Sequence, residues 1–320
     1  MDTSLPTRCP LCTSSSLEKV ENMRHVDGEN TYSLYECGAC YAQFWWPLKN
    51  PGAHWYEHDH RYADRNKDPI RDPNWNHKKV IAYLKPFVGR VLDVGCGVGN
   101  FLAWADKNGW DAYGIDFDHD AVEAGKNMFD LQNLSVADVQ EFKAQHPEEK
   151  FDLVTFFDVL EHIDNHNEFI ETIKSLLTSR GYVAMSMPYR KHAQWLMTGD
   201  WPPRHLTRWD RTSLKKFLED RGFDVVYITR RSEGIRYLIL KMRFLFGKKL
   251  SFGLVSQVKQ SVKNNQTSAK RKDTLVRGAE WLAKTKDAIL FGMPAFVVWL
   301  VTLPLPSRYI TLYAIARKRD

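Results

Sequence analysis

The chain has 320 residues, 43% of them hydrophobic and 26% charged. That is enough to fold one good-sized α/β domain with a small appendage, and it excludes an intrinsically disordered protein. The formal charge of +6 is unevenly spread: residues 236–287 hold thirteen Lys/Arg against three Asp/Glu, so the rest of the chain is slightly acidic. A basic block of this kind suits lipid headgroups, nucleic acid or a phosphorylated substrate, with a plain solvated face as the alternative.

From the N-terminus, Cys9–Pro10–Leu11–Cys12 and Cys37–Gly38–Ala39–Cys40 form two C-x2-C knuckles. Cys9, Cys12, Cys37 and Cys40 together read as a closed tetrahedral zinc site, structural because no coordination position stays open. A metal-binding set also fits a reducing compartment better than a disulfide framework. The start, MDTSLPTRCP, has no apolar segment, so a cytoplasmic location is expected. With little apolar core expected in residues 1–50, the metal should supply most of the folding energy of this ribbon. Residues 51–75 read as a polar, aromatic linker. His54, His58, His60 and His77 read as surface or cleft residues, with a second metal site as the alternative.

From Asn76 the periodicity becomes helical, with Val80, Ile81, Leu84 and Phe87 on one side. Apolar runs then alternate with helical stretches, at Arg90–Val94, Ala112–Asp116, Leu134–Val136, Phe151–Phe157, Tyr182–Met187 and Val225–Thr229. Such alternation predicts a parallel sheet covered by helices on both faces, over a core at 76–235. The first run ends in Asp93-Val94-Gly95-Cys96-Gly97-Val98-Gly99 and leads into a helix. Glycines there let a backbone approach a ligand, but a carboxylate at the strand end would repel pyrophosphate and favours an amino-acid moiety. Asp116 ends the second run, where an acidic residue binds ribose hydroxyls. Asp138 follows the third, where it can accept a proton from an adenine amino group. Asp118 reads primarily as a helix cap.

In order and spacing, VLDVGCGVGNFL, GIDFD, ADVQEF, FDLVTFFDVLEHI and LLTSRGYVAMSMP resemble the motifs of class I S-adenosylmethionine-dependent methyltransferases, notably those of ubiquinone-biosynthesis O-methyltransferase type. A similar zinc ribbon precedes the methyltransferase domain in several relatives. The resemblance covers about residues 76–231 and a final strand, Tyr309–Ala316. It implies a Rossmann-like seven-stranded sheet whose last strand is antiparallel. It also implies that S-adenosylmethionine meets Asp93, Gly95, Cys96 and Gly97 through its methionine part. Asp116 would then hold the ribose, Asp138 and Val139 the adenine, with Phe117 and Phe157 beside the cofactor.

His162, in Glu161–His162–Ile163, is a candidate base because histidine titrates near neutrality. His205, in Trp201–Pro202–Pro203–Arg204–His205–Leu206–Thr207–Arg208–Trp209, is the second. Tyr189 and Arg190 are candidate substrate contacts, and Trp195, Trp201 and Trp209 either line a pocket or pack. Between the core and the closing segment 305–320 lies an insertion, 236–304, basic and then apolar. Its segment Ala288–Pro306, broken by prolines, is expected to lie on a membrane surface or pack against protein rather than span a bilayer. The expected function is methyl transfer, chiefly to oxygen, on a small-molecule, glycan or lipid-linked acceptor. RNA methylation through ribbon and basic block is the alternative, and a non-catalytic cofactor-binding scaffold the third reading.

Overall fold

The computed structural model describes residues 5–28, 30–52, 73–85, 89–192, 200–232 and 292–320, with Trp55 and some positions of 234–239. Most of the expected linker and insertion, and His54, His58, His60, Phe87 and Trp195 with them, lie outside the described residues. Compact unit 1 comprises residues 1–190, 197–231 and 311–320; unit 2 comprises 191–196 and 232–310.

Unit 1 holds both sheets. The N-terminal strands β1 (Leu17–Asp27), β2 (Asn30–Cys37) and β3 (Gln43–Trp46) form an antiparallel meander. The larger sheet is built from β4 (Arg90–Val94), β5 (Asp111–Asp116), β6 (Leu134–Val136), β7 (Phe151–Phe157), β8 (Leu177–Pro188), β10 (Phe223–Ser232) and β11 (Tyr309–Lys318). Its order is β10-β11-β8-β7-β4-β5-β6, with β4 parallel to β5 and β7, and β11 antiparallel to β8. This is the seven-stranded arrangement expected from sequence. The parallel strands are buried on both faces, which explains their continuous apolar runs: Val91, Leu92, Leu153, Val154 and Phe156 are fully buried.

Six helices accompany the strands: α1 (Trp75–Leu84), α2 (Asn100–Lys107), α3 (His119–Phe129), α4 (Val139–Gln145), α5 (His166–Leu176) and α6 (Arg211–Glu219). Most start at a side-chain cap. Asn74, Asp138 and Asp210 make capping boxes, and Asp118 accepts from the Ala121 N–H as the sequence suggested.

Two expectations change. The N-terminal sheet has a fourth strand, β9 (Thr207–Arg208), contributed from beyond the large sheet's β8; its order is β1-β2-β3-β9. The meander also buries an apolar core of its own: Leu11, Leu34, Phe44 and Trp45 are fully buried, and Tyr32, Leu34 and Trp45 cluster with half-buried Trp201. The aromatic content of QFWW therefore supplies packing energy where the sequence reading expected most of it from the metal.

Among the described residues of unit 2, the apolar stretch is helical over 292–301 and turns at 302–304, with Pro304 in the turn and Pro306 just beyond it. Among the described residues no helix is long and apolar enough to cross a membrane. Met293, Phe296, Val297, Leu300 and Val301, at helical spacing, are exposed.

Candidate active site

The chain order reverses at β4, whose neighbours are β5 and β7. In open α/β sheets the crevice at the carboxyl ends of such strands takes the ligand. Here those ends carry Asp93, the glycine loop and Asp116.

The loop is braced from β5. Gly95 and Cys96 N–H donate to the Ile115 carbonyl at 2.8 and 3.1 Å, and Gly97 N–H donates to Asp116 Oδ2 at 2.7 Å. Gly95 and Gly97 have φ of 72° and 54°. A Cβ at Gly95 would lie 2.6 Å from Val159 Cγ2, whereas one at Gly97 would meet nothing within 4 Å. The first glycine is thus required by packing, and the second faces open space that a ligand can occupy. Asp116 is held rigidly, its Oδ1 accepting from Asp118 N–H at 2.9 Å. Asp93 is buried and accepts from Thr155 Oγ1 at 2.6 Å; burial pushes its pKa up to about 7, with Asp116 adding to the effect.

The other expected donor-side residues fall as follows. Phe117 is exposed and Val139 buried at the start of α4; Asp138 is exposed and spends Oδ1 on the Glu141 N–H. The Cys96 sulfur sits against Gly114, where an added Cβ would approach to 2.9 Å, so this residue packs β4 against β5. Phe157 lies in an aromatic cluster with His77, Phe101 and Tyr313. His77, expected at the surface or in a cleft, is buried between Phe101 and Phe157; desolvation lowers its pKa to about 4, and its Nδ1 caps α1 by accepting from Asn74 N–H.

Beyond β7 the backbone turns sharply at Asp158, left-handed at φ 57°. Its Oδ1 accepts from Ser186 Oγ at 3.0 Å, and Ser186 accepts in turn from Asn76 Nδ2 at 2.8 Å. A 3-10 turn, Leu160–His162, follows. It brings together Glu161, His162 and His205, whose ligand atoms all lie within 4.8 Å of one another. The two imidazoles meet edge to face at 4.8 Å. His162 Nδ1 lies 2.7 Å from the Arg204 carbonyl, which only accepts, so Nδ1 carries the proton and Nε2 is the basic atom. His205 Nδ1 lies 2.7 Å from Asp200 Oδ1, fixing the same tautomer.

Glu161 is 1% exposed, and among the described residues neither carboxylate oxygen has a hydrogen-bond partner. Burial, then Asp158 and Asp200, raise its pKa well above the carboxylate range. A buried, unpartnered carboxylate beside two oriented imidazoles is a donor set for a divalent cation, and an Asp or carbonyl behind each ring is the support metal-binding histidines use. Sequence reading found both histidines and passed over Glu161, Asp158 and Asp200. The available signal was an acidic residue inside the apolar run VLEHI.

Tyr189 and Arg190, expected at the substrate, are engaged within the chain. Tyr189 is buried and its hydroxyl accepts from Arg230 at 3.2 Å. The Arg190 guanidinium is committed to Asp210 at 2.8 Å, Glu36 at 3.3 Å and the Tyr41 carbonyl at 2.6 Å, clamping β2 and β3 to the start of α6.

The four knuckle cysteines converge at the other end of the small sheet. Cys9 and Cys40 sulfurs are 3.7 Å apart, Cys12 and Cys37 3.5 Å. The edge of a tetrahedron with bonds of about 2.3 Å is roughly 3.8 Å, so the sulfurs fit a four-thiolate metal site. Among the described residues, no carboxylate or imidazole belongs to this cluster.

A Rossmann-like sheet with an acidic, glycine-lined crevice where the strand order reverses defines the class: an open α/β fold that takes its ligand at the carboxyl ends of its strands. The family profile described as "Methyltransferase domain" matches residues 58–228, a little over half of the chain, and the chain belongs to that family. Among curated relatives, it is 33% identical over 134 residues to the ubiquinone biosynthesis O-methyltransferase of Glaesserella parasuis serovar 5, covering 36% of this chain and 57% of that one. It is 26% identical over 171 residues to that of Pectobacterium atrosepticum, covering 50% and 71%. The chain spans about half the length of most curated relatives it matches. Among solved structures, the fold matches Haemonchus contortus phosphoethanolamine N-methyltransferase 2 in complex with S-adenosyl-L-methionine, at TM-score 0.51 and 14% identity, covering 93% of this chain and 71% of that one. It also matches the [4+2]-cyclase SpnF at TM-score 0.51 and 16% identity, covering 83% and 95%. The second match shows that this fold alone does not fix the chemistry.

Proposed function

We propose that the chain transfers the methyl group of S-adenosylmethionine to an oxygen acceptor on a small-molecule, glycan or lipid-linked substrate. The observation that carries this reading is the pairing, beyond the carboxyl ends of β4, β5 and β7, of a donor cradle with Glu161, His162 and His205. In it, Asp93 and the open space at Gly97 receive the amino-acid end and Asp116 holds the ribose.

A bound donor would supply an electrophilic methyl group, and a divalent cation held by Glu161 and the Nε2 of one imidazole would supply charge that favours the alkoxide form of an acceptor hydroxyl. The other imidazole, whose Nε2 stays free of the cation, takes the acceptor proton. The C–S bond breaks as the C–O bond forms, leaving S-adenosylhomocysteine and a protonated imidazole. Rigid placement by the 3-10 turn and β9 contributes through orientation. The sulfur geometry supports zinc as the resident ion of the four cysteines, in a purely structural role.

Incubating the protein with radiolabelled S-adenosylmethionine, Mg2+ or Mn2+ and fractionated cell extract tests the reading. Label should enter a lipid, glycan or small-molecule fraction as a base-stable ether. Label in RNA would favour the RNA reading; donor binding with no label in any fraction would favour the scaffold.

The exposed stripe of the 292–301 helix supports an acceptor met at a lipid surface. The surplus of ten positive charges in the preceding 236–287 matches anionic headgroups.

A further inference from the structure

We infer that the cysteine-knuckle sheet is the positioning device of the acceptor-side histidines, so that metal loading at Cys9, Cys12, Cys37 and Cys40 sets the acceptor half of the site independently of the donor half. The inference rests on the acceptor-side reading of Glu161, His162 and His205.

Both histidines are tied to the small sheet through their chain neighbours and through the segment that follows β3. β3 pairs with β9 through Gln43↔Arg208 and Phe44↔Thr207. Trp45 N–H extends that ladder by donating to the Leu206 carbonyl at 2.8 Å. Leu206 N–H donates to the Glu161 carbonyl at 2.7 Å, so the residue after His205 is bonded on one side to the small sheet and on the other to the Glu161 turn. Trp201, four residues before His205, lies between His25 of β1 (ring centroids 5.3 Å) and Trp45 of β3 (5.6 Å). Asn50, just past β3, donates from Nδ2 to the His162 carbonyl at 2.7 Å and from its backbone N–H to Asp164 at 2.9 Å.

A two-residue strand does not hold itself; β9 exists because β3 offers it an edge. The position of β3 depends in turn on the knuckles, since Cys37 ends β2 and the turn through Cys40 leads into β3. The first knuckle is tied to the core as well. Pro10 carbonyl accepts from Asn167 at 3.2 Å, and Leu11 carbonyl accepts from Arg221. The glycine loop, by contrast, is braced by Ile115 and Asp116 of β5. Sheet and site are thus one ladder on the acceptor side, and donor binding has its own support.

Hydrogen exchange followed by mass spectrometry tests this on the whole chain, with metal and after chelation, metal content being measured in each sample. Segments 201–209 and 158–164 should exchange at least tenfold faster without metal, together with 43–46. Segment 91–102 and the affinity for S-adenosylhomocysteine should change less than about twofold, and added zinc should restore protection. Fast exchange confined to residues 5–46 would overturn the inference, and so would uniform loss across the chain, which signals stability alone. If the chelated protein aggregates, Asn50→Ala with its metal retained gives the second test. Segment 158–164 and the His162 imidazole resonances should respond while 91–102 stays unchanged; silence at 158–164 would overturn the inference. None of these outcomes depends on finding an acceptor. Failure of the acceptor reading would appear instead as wild-type cation binding in Glu161→Gln.

Discussion

On the proposed reading the site has a donor half and an acceptor half, and the two are built in opposite ways. The donor half is local: Asp93, Gly95 and Gly97 belong to one strand and its loop, and Asp116 ends the neighbouring strand in exact register, Asp93 pairing with Gly114 and Val94 with Ile115. The acceptor half is assembled from three distant segments, the turn at 160–162, the stretch 200–209 and the small sheet with Asn50. Local construction makes the first a motif. Non-local construction makes the second a matter of pairing between residues more than a hundred positions apart, with no periodicity to announce it.

The comparison breaks first at Asp116. Asp116→Ala removes a carboxylate that accepts from two backbone amides and, on the proposed reading, from the ribose hydroxyls. Charge-assisted bonds contribute about 1.5–3 kcal/mol each, so S-adenosylhomocysteine affinity should fall by on the order of a thousandfold by calorimetry. Unchanged affinity would refute the ribose assignment and with it the donor half.

Glu161→Gln sharpens the contrast from the other side. The amide keeps the shape and loses the charge, so methyl transfer to the acceptor found in extract should fall by roughly a hundredfold or more, in line with the loss of a charge-stabilising group. Donor affinity should stay within about threefold. Equal damage to both would mean that the halves are not separable.

These two residues also mark what the sequence disclosed. The position of Asp116 was legible because an acid that ends the strand after a glycine loop stands out in the sequence. The central strands were legible because burial on both faces writes itself as apolar runs. Glu161 was hidden because a carboxylate in an apolar run reads as an amphipathic turn until the structure shows it buried and without a partner. Arg190 misled for a related reason: an arginine after a strand looks available, and only the fold brings Glu36 and Asp210 onto it. The linkage of ribbon and core was illegible because β9 is two residues long, below what a strand pattern can register.

A smaller effect follows from Asp93, whose pKa burial lifts to about 7. In the free chain the raised value means that the folded state holds a proton the unfolded state has released. Asp93 therefore favours folding fully below pH 4, and this contribution is lost as pH rises through 7. An ammonium group of the donor beside Asp93 favours the ionised carboxylate, so binding should release a proton. Donor affinity should then rise as pH goes from 6 to 8, by up to about tenfold per unit below 7. Calorimetry in buffers of different ionisation enthalpy reads the proton directly; an enthalpy independent of buffer would remove Asp93 from contact with the donor's charge.

The smallest expected effect concerns unit 2. Its helix over 292–301 exposes Val297 and Val301 one turn apart, together with Met293 and Phe296. If the stripe enters a bilayer interface, each valine buried contributes about 1–2 kcal/mol. Val301→Glu should then reduce sedimentation with vesicles containing phosphatidylserine roughly tenfold, and raising salt should weaken binding further through the basic block. Donor affinity should not move, because the cradle is braced within β4 and β5. Wild-type protein that fails to sediment with such vesicles at low salt would leave the stripe to a protein partner and point to a soluble acceptor.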